Sequence, residues 1–322
     1  MLHHLQNLSI KGYIITIIIY AVLQVGYLIN INYTFLCDIG TFRQLFIELN
    51  KLNILSVILG ISLHIIGGFY LHFVVLKNEI IYKPTVLSLF FYLVISSIII
   101  NFNHISSFTI INLSSILLMS LIVKMHENPN INYLGFKAGF IIGIAAVMHI
   151  GYGIIFFFLL FAMSRYARLT LSMFFTAAIG LLFPFVCILT VNYIYPDFIQ
   201  YINLNQFDVK NQNYPISEVV ALSIFGFATI IGGIVWLQNS PRNTVKNRRT
   251  IYIVITYFIL MTLYAAVYMS SCRQVIIILQ MPSAIILAYY FSADRKMRYR
   301  NILLYLLLGV IIYFQYHHYF YI

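Results

Sequence analysis

Carboxylates are scarce in this sequence: Asp and Glu together account for 8 of 322 residues. Two of them share the stretch Asn30 to Asn53, NINYTFLCDIGTFRQLFIELNKLN, where Asp38 and Glu48 flank Arg43. At a membrane surface Asp38 has the chemistry of a base that activates an acceptor, or of a metal ligand, and Arg43 that of a clamp on a lipid phosphate. The same stretch also reads as a solvated loop. In that reading Phe42, Leu45, Phe46 and Leu49, at helical spacing, form an amphipathic helix lying in the interface.

Arg273 stands between the apolar runs YAAVYMSSC and QVIIILQMPSAIILAYYF. Placing an arginine near the bilayer costs several kcal/mol unless it is paired or hydrated. Its partner is either the phosphate or carboxylate of a substrate in an outward-facing cavity, or a salt bridge to Asp38, Glu48, Asp197 or Asp208. A second external stretch, YPDFIQYINLNQFDVKNQNYP, interleaves Tyr195, Phe198, Tyr201, Phe207 and Tyr214 with polar groups. Such a pattern stacks on sugar rings, and it equally builds the aromatic belt of a membrane interface.

Other chemistry has little support. His64 and His72 share a helix face two turns apart with no carboxylate nearby, and His149 stands alone, so neither metal nor haem is expected. Cys37, Cys187 and Cys272 have no CxxC spacing, and three cysteines cannot all pair, so no disulfide framework or structural zinc is expected. No Walker motif, GxSxG elbow, HExxH or dinucleotide fingerprint is present. ATP-driven pumping and soluble-type hydrolysis are therefore not expected, and no cofactor is expected.

The elements that must position these residues are membrane helices. Hydrophobic residues make up 62% of the chain and charged ones 8%, against the usual 45–50% and about 25% of soluble domains. Apolar runs recur at Gly12 to Ile29, Ile54 to Leu76, Pro84 to Ile100, Ser107 to Val123, Ala138 to His149 and Tyr152 to Ser164. Further runs follow at Leu169 to Tyr195, Ser217 to Leu237, Ile251 to Met269, Gln274 to Phe291 and Ile302 to His317. The expectation is an all-α, polytopic transmembrane bundle of about eleven helices in a single domain, residues 1–322. Met1 to Lys11 is too polar for a signal core, so the first run is expected to be a retained helix with the N-terminus cytoplasmic.

Charge tests this threading, because cytoplasmic loops are enriched in Lys and Arg. With the N-terminus inside, all of the 19 cationic residues except Arg43, Lys51, Lys210 and Arg273 fall on the cytoplasmic side. The net charge of +11 is thus a topological signature and calls for no nucleic-acid partner. Sorting holds only if Ala138 to Ser164 crosses twice, as two short helices broken near His149-Ile150-Gly151-Tyr152-Gly153. A break there frees backbone groups that must face protein or water.

The stretches KPTVLSLFFYLVISSIIINFNHISSFTIINLSSILLMSLI, GFKAGFIIGIAAVMHIGYGIIFFFLLFAMSRYARLTLSMFFTAAIGLLFPF and RQVIIILQMPSAIILAYYFS resemble an uncharacterised family of polytopic inner-membrane proteins from Bacteroidota, over roughly Pro84 to the C-terminus. The segment GFIIGIAAVMHIGYGIIFFFLL more distantly resembles the glycine-punctuated helix pair of multi-spanning glycosyltransferases that use polyprenyl-phosphate sugars. Those enzymes place an essential Asp in the first external loop, where Asp38 lies; they also commonly carry a second acidic residue close by, whereas here Glu48 stands ten positions on. The resemblance implies a multi-pass protein of the bacterial inner membrane, in contact with membrane lipid and acting on a polyprenyl-phosphate-linked sugar. Asp38 would be catalytic, and Arg43 and Arg273 would bind phosphate. Two other readings stand beside it: a non-enzymatic subunit or scaffold that binds other envelope membrane proteins, and a small-solute transporter built around the broken helix.

Overall fold

A computed structural model describes residues 2–29, 42–51, 53–98, 104–126, 130–166, 170–194, 216–240, 244–269, 272–292 and 297–320. Among these residues there are thirteen α-helices and no strand. In chain order they are α1 (Leu2–Leu5), α2 (Ile10–Ile29), α3 (Arg43–Lys51), α4 (Asn53–Lys77), α5 (Leu87–Ser96), α6 (Ser107–Lys124) and α7 (Ile131–Met148). They continue with α8 (Ile155–Tyr166), α9 (Leu171–Ile194), α10 (Ile216–Asn239), α11 (Val245–Tyr268), α12 (Gln280–Ser292) and α13 (Met297–Phe320). Seven spans among the described residues are long and apolar enough to cross a membrane: those of α4, α6, α7, α9, α10 and α11, and the stretch Arg273–Ser292 that α12 completes. Shorter apolar helices lie at Ile10–Val25, Leu87–Ser96, Ile150–Tyr166 and Tyr299–Tyr313. This is the make-up of a multi-pass membrane protein.

The stretch that charge sorting divides in two is a helical hairpin. α7 stops at His149, whose backbone is extended (φ −146°, ψ 113°), and Ile150–Ile154 forms a 3-10 turn that feeds α8. Gly135 near the start of α7 faces Met163 near the end of α8, and Ala146 faces Gly153 beside the turn, so the two arms run antiparallel. α9 then returns alongside α7: Asn132 Nδ2 donates to Ser172 Oγ at 3.2 Å, and further along Gly143 faces Leu181 and Pro184. At 1.5 Å per residue α7 is about 27 Å long, close to the thickness of a hydrocarbon core. Lys137 and Arg165 therefore share one end of the hairpin. That end, with the C-terminus of α6 at Lys124, is called the lysine end below, and the opposite one the histidine end after His149.

α7 and α9 touch backbone to backbone. A Cβ added at Gly139 would run into the Ala177 carbonyl, and one at Gly180 into the Phe136 carbonyl. In lipid the apolar effect does not draw helices together, so such close approach is what supplies the van der Waals contact that does. The other flank of α9 is bare: Phe175, Ile179, Leu182 and Val186 are all exposed.

The centre of the molecule is made by α5 and α12. Every residue of α5 is buried, as is nearly all of α12, and a helix apolar all round is one surrounded on all sides. The sequence predicts one continuous helix from Gln274, but Arg273–Leu279 is 3-10 and α-geometry starts only at Gln280. Pro282 favours this: its ring has no N–H to give the Ile278 carbonyl and crowds it, and a proline fits best in the first turn of an α-helix. At the lysine end α1 closes the bundle. The Leu5 carbonyl accepts from Val86 N–H (3.0 Å) and Gln6 Nε2 donates to the Phe291 carbonyl (2.7 Å).

Candidate functional site

A column of neutral polar side chains runs inward from the histidine end. At its head is His149, the residue that ends α7, fully buried at the hairpin turn. Its Nδ1 shares a hydrogen bond with the Tyr264 hydroxyl of α11. Phe108 of α6 and Tyr268 of α11 pack against the ring at 5.6 and 4.8 Å between centroids. Gly151 belongs to this packing, because a side chain there would strike the Tyr268 hydroxyl and the edge of His149.

One imidazole nitrogen is thus engaged, and the other is not. Nε2 of His149 is buried and has no hydrogen-bond partner among the described residues. If Tyr264 donates to Nδ1, Nε2 carries the ring proton and is a donor; in the other tautomer it is an acceptor. Either way it can serve a polar group brought to it, and burial unpaired costs about 1–3 kcal/mol.

Below His149 the column continues through hydroxyls. Tyr152, on the 3-10 turn, meets Ser115 Oγ at 2.7 Å and the Tyr257 hydroxyl at 3.0 Å. One helical turn from Ser115, Asn112 Nδ2 donates to the Tyr92 hydroxyl and to Gln280 Oε1, both at 2.9 Å. Gln280 Nε2 in turn donates to the Tyr92 backbone carbonyl at 2.8 Å. Five elements, α5, α6, the hairpin, α11 and α12, are tied by this one chain of contacts. No charged side chain takes part in it, so it can bind and orient polar groups and, at His149, accept or release a proton.

Of the residues singled out from sequence, Arg43 and Arg273 lie at the same end as the head of this column, and others fall elsewhere or outside what is described. Asp38 lies outside the described residues, as do Cys37, Asp197, Asp208 and the aromatic stretch 195–215. The amphipathic helix expected from Phe42 to Leu49 is present as α3, and Arg43 is its first residue. α3 is anchored at the histidine end: Asn50 Nδ2 donates to the Ile105 carbonyl (3.0 Å), and Asn50 Oδ1 accepts from Ser56 Oγ, which also meets His104 Nδ1 at 3.0 Å. Glu48 pairs with Lys51 at 2.6 Å on an exposed face. Arg273 begins the 3-10 segment, half-buried, next to Cys272, whose N–H donates to the Tyr268 carbonyl at 3.0 Å. Since Tyr268 packs on His149, Arg273 and His149 belong to the same end, and α3 carries the backbone of Arg43 there too.

His72 has both ring nitrogens committed, to the Tyr13 hydroxyl (2.8 Å) and Ser88 Oγ (2.9 Å), which makes it a strut between α2, α4 and α5. Among the described residues no three His, Cys, Asp or Glu side chains gather as a metal site. Sequence reasoning passed over Tyr92, Asn112, Tyr152, Tyr257 and Gln280. The signal was available: an amide inside an apolar helix must find a partner in the bundle, because lipid offers none.

Neither the curated proteins nor the solved structures include a match to this chain. The model of one protein family does match, from residue 1 to residue 322. With the whole chain covered, the protein belongs to the family of unknown function DUF6427.

Proposed function

We propose that this is a multi-pass protein of the bacterial inner membrane, with its lysine end in the cytoplasm, that acts as a glycosyltransferase-like enzyme on a polyprenyl-phosphate-linked sugar at the outer face. The observation that carries this reading is the buried Nε2 of His149, without a partner among the described residues, at the same end as Arg273 and α3. In this reading Arg273 and Arg43 hold the lipid phosphate, Asp38 is the base or a metal ligand, and His149 orients the acceptor or relays its proton. The cationic side chains that sort to the lysine end set the orientation.

Transfer of labelled sugar from a polyprenyl-phosphate donor to lipid acceptors by the purified protein tests it. Asp38→Asn is expected to abolish transfer and His149→Phe to reduce it; full transfer by Asp38→Asn would rule the chemistry out.

A second reading, a non-enzymatic subunit that holds other envelope membrane proteins, draws support from the Tyr92–Asn112–Gln280 contacts, which close the core on itself. It expects Asp38→Asn and Arg273→Gln to change recovery of a co-purifying complex while no turnover is detected in either protein.

A further inference from the structure

A second feature lies at the opposite end and owes nothing to the column under His149. Between α4, α6 and α7 there is an open groove of about 310 Å³, lined by Tyr70, Leu117, Ser120, Lys124, Lys137 and Phe140 among others. The volume is in the range of small-ligand sites. Its chemistry is divided lengthwise. Lys124 is the last residue of α6 and Leu117 lies seven residues before it, so the two are about 10 Å apart along the helix. The lysine end of the groove thus holds two ammonium groups, and its deeper part is walled by Leu117 and Phe140. Leu117 is 42% exposed on the outer surface of the bundle, so the groove opens sideways.

Neither lysine forms an ion pair among the described residues. Lys137 Nζ lies 4.2 Å from the centre of the Tyr133 ring, which positions it without neutralising it. Ser120 Oγ accepts from the Tyr70 hydroxyl at 3.2 Å, which leaves its own O–H to donate. None of the residues lining the groove is acidic; Glu127, in the α6–α7 connection, falls outside the described residues.

We infer that this groove binds one anionic glycerophospholipid from the leaflet at the lysine end. Its phosphate lies between Lys124 and Lys137 and accepts from Ser120, and the first part of an acyl chain rests on Leu117 and Phe140. The match is one of order as well as charge: a membrane phospholipid carries its anion at the interface and its apolar part about 10 Å deeper, as the groove does. A soluble anion would leave the apolar walls unused. A zwitterionic phospholipid would bring its own quaternary ammonium up to the two lysines, which repel it.

Delipidated protein, titrated with phosphatidylglycerol or phosphatidylcholine in detergent and read by native mass spectrometry, tests the assignment. One phosphatidylglycerol is expected to be retained in preference to phosphatidylcholine. Lys124→Gln/Lys137→Gln should weaken its retention about thirtyfold, whereas Lys77→Gln, at the same end but outside the groove, should not. Lys124→Arg/Lys137→Arg should restore it, and the thermal unfolding midpoint of each apo variant checks that the fold is intact. Equal retention of the two lipids, an unchanged titration in the double glutamine variant, or displacement by equimolar inorganic phosphate would each overturn the proposal. Stronger retention of a polyprenyl phosphate than of phosphatidylglycerol would also overturn it, by assigning the groove to a different lipid.

Discussion

The α7–α9 pair and the α5–α6–α12 group hold helices together by opposite means. α7 and α9 do it by having almost nothing between them: glycines at 139, 143 and 180 let carbonyl oxygens and Cα atoms of the two helices touch. Among α5, α6 and α12, hydroxyls and amides reach from one helix to the next and hydrogen-bond there. In water both would be minor additions to apolar burial. In a bilayer, where apolar burial between helices yields little, they carry the association, and they fail differently. A close contact has no slack, whereas a hydrogen-bonded network can lose one member and let the rest find new partners.

The largest loss is therefore expected where there is no slack. Gly180→Leu must force α7 and α9 apart, and overpacking of this kind costs about 3 kcal/mol or more. Thermal unfolding in detergent should show it as the lowest midpoint of the set; a near-native midpoint would mean that the pair does not pack as described. Asn112→Leu removes two hydrogen bonds and is expected to cost about 1–2 kcal/mol, because single interhelical bonds in membranes average about 0.6 kcal/mol. Adding Gln280→Leu should cost less than the sum of the two single changes, since both remove the same Asn112–Gln280 hydrogen bond; strict additivity would show that the pair is not coupled.

A smaller effect should come from pH. His104, in the connection before α6, meets Ser56 and is buried, and burial holds its pKa below the usual histidine value of 6.5. The folded protein thus binds this proton less readily than the unfolded chain. Stability from this group should be flat above about pH 6.5 and fall as pH drops towards the lowered pKa. The slope should vanish in His104→Gln, and an unchanged slope in that variant would place the titration elsewhere. The smallest effect belongs to Gly226→Ala. A Cβ there meets nothing within 4 Å, so the stability should stay within about 0.5 kcal/mol of native.

How much of this could be read from the sequence depended on what each signal measures. Lys137 and Arg165 reported the reversal at His149 because positive charge is counted by side of the membrane and is indifferent to packing. Gly151 and Gly153 marked where the reversal falls. Helix ends were less legible: α7 starts at Ile131, before Lys137, since a lysine can lie on the first turns of a membrane helix and extend over Tyr133. The 3-10 segment before α12 was hidden because Pro282 reads equally well as a residue of a longer helix. At the site, Arg273 stood out by its charge. His149 appeared only as a lone histidine at a break, and its pairing with Tyr264, 115 positions away, has no local trace. Asn112 and Gln280 were overlooked because their neighbours are so apolar, although that contrast is what makes a buried amide significant.

The clasp at the lysine end bears on when the protein becomes complete. Gln6 reaches the Phe291 carbonyl across 285 positions of sequence, and Leu5 holds the start of α5 beside it. Gln6 leaves the ribosome 285 residues ahead of Phe291, so this latch cannot shut until all the segments between them have been inserted.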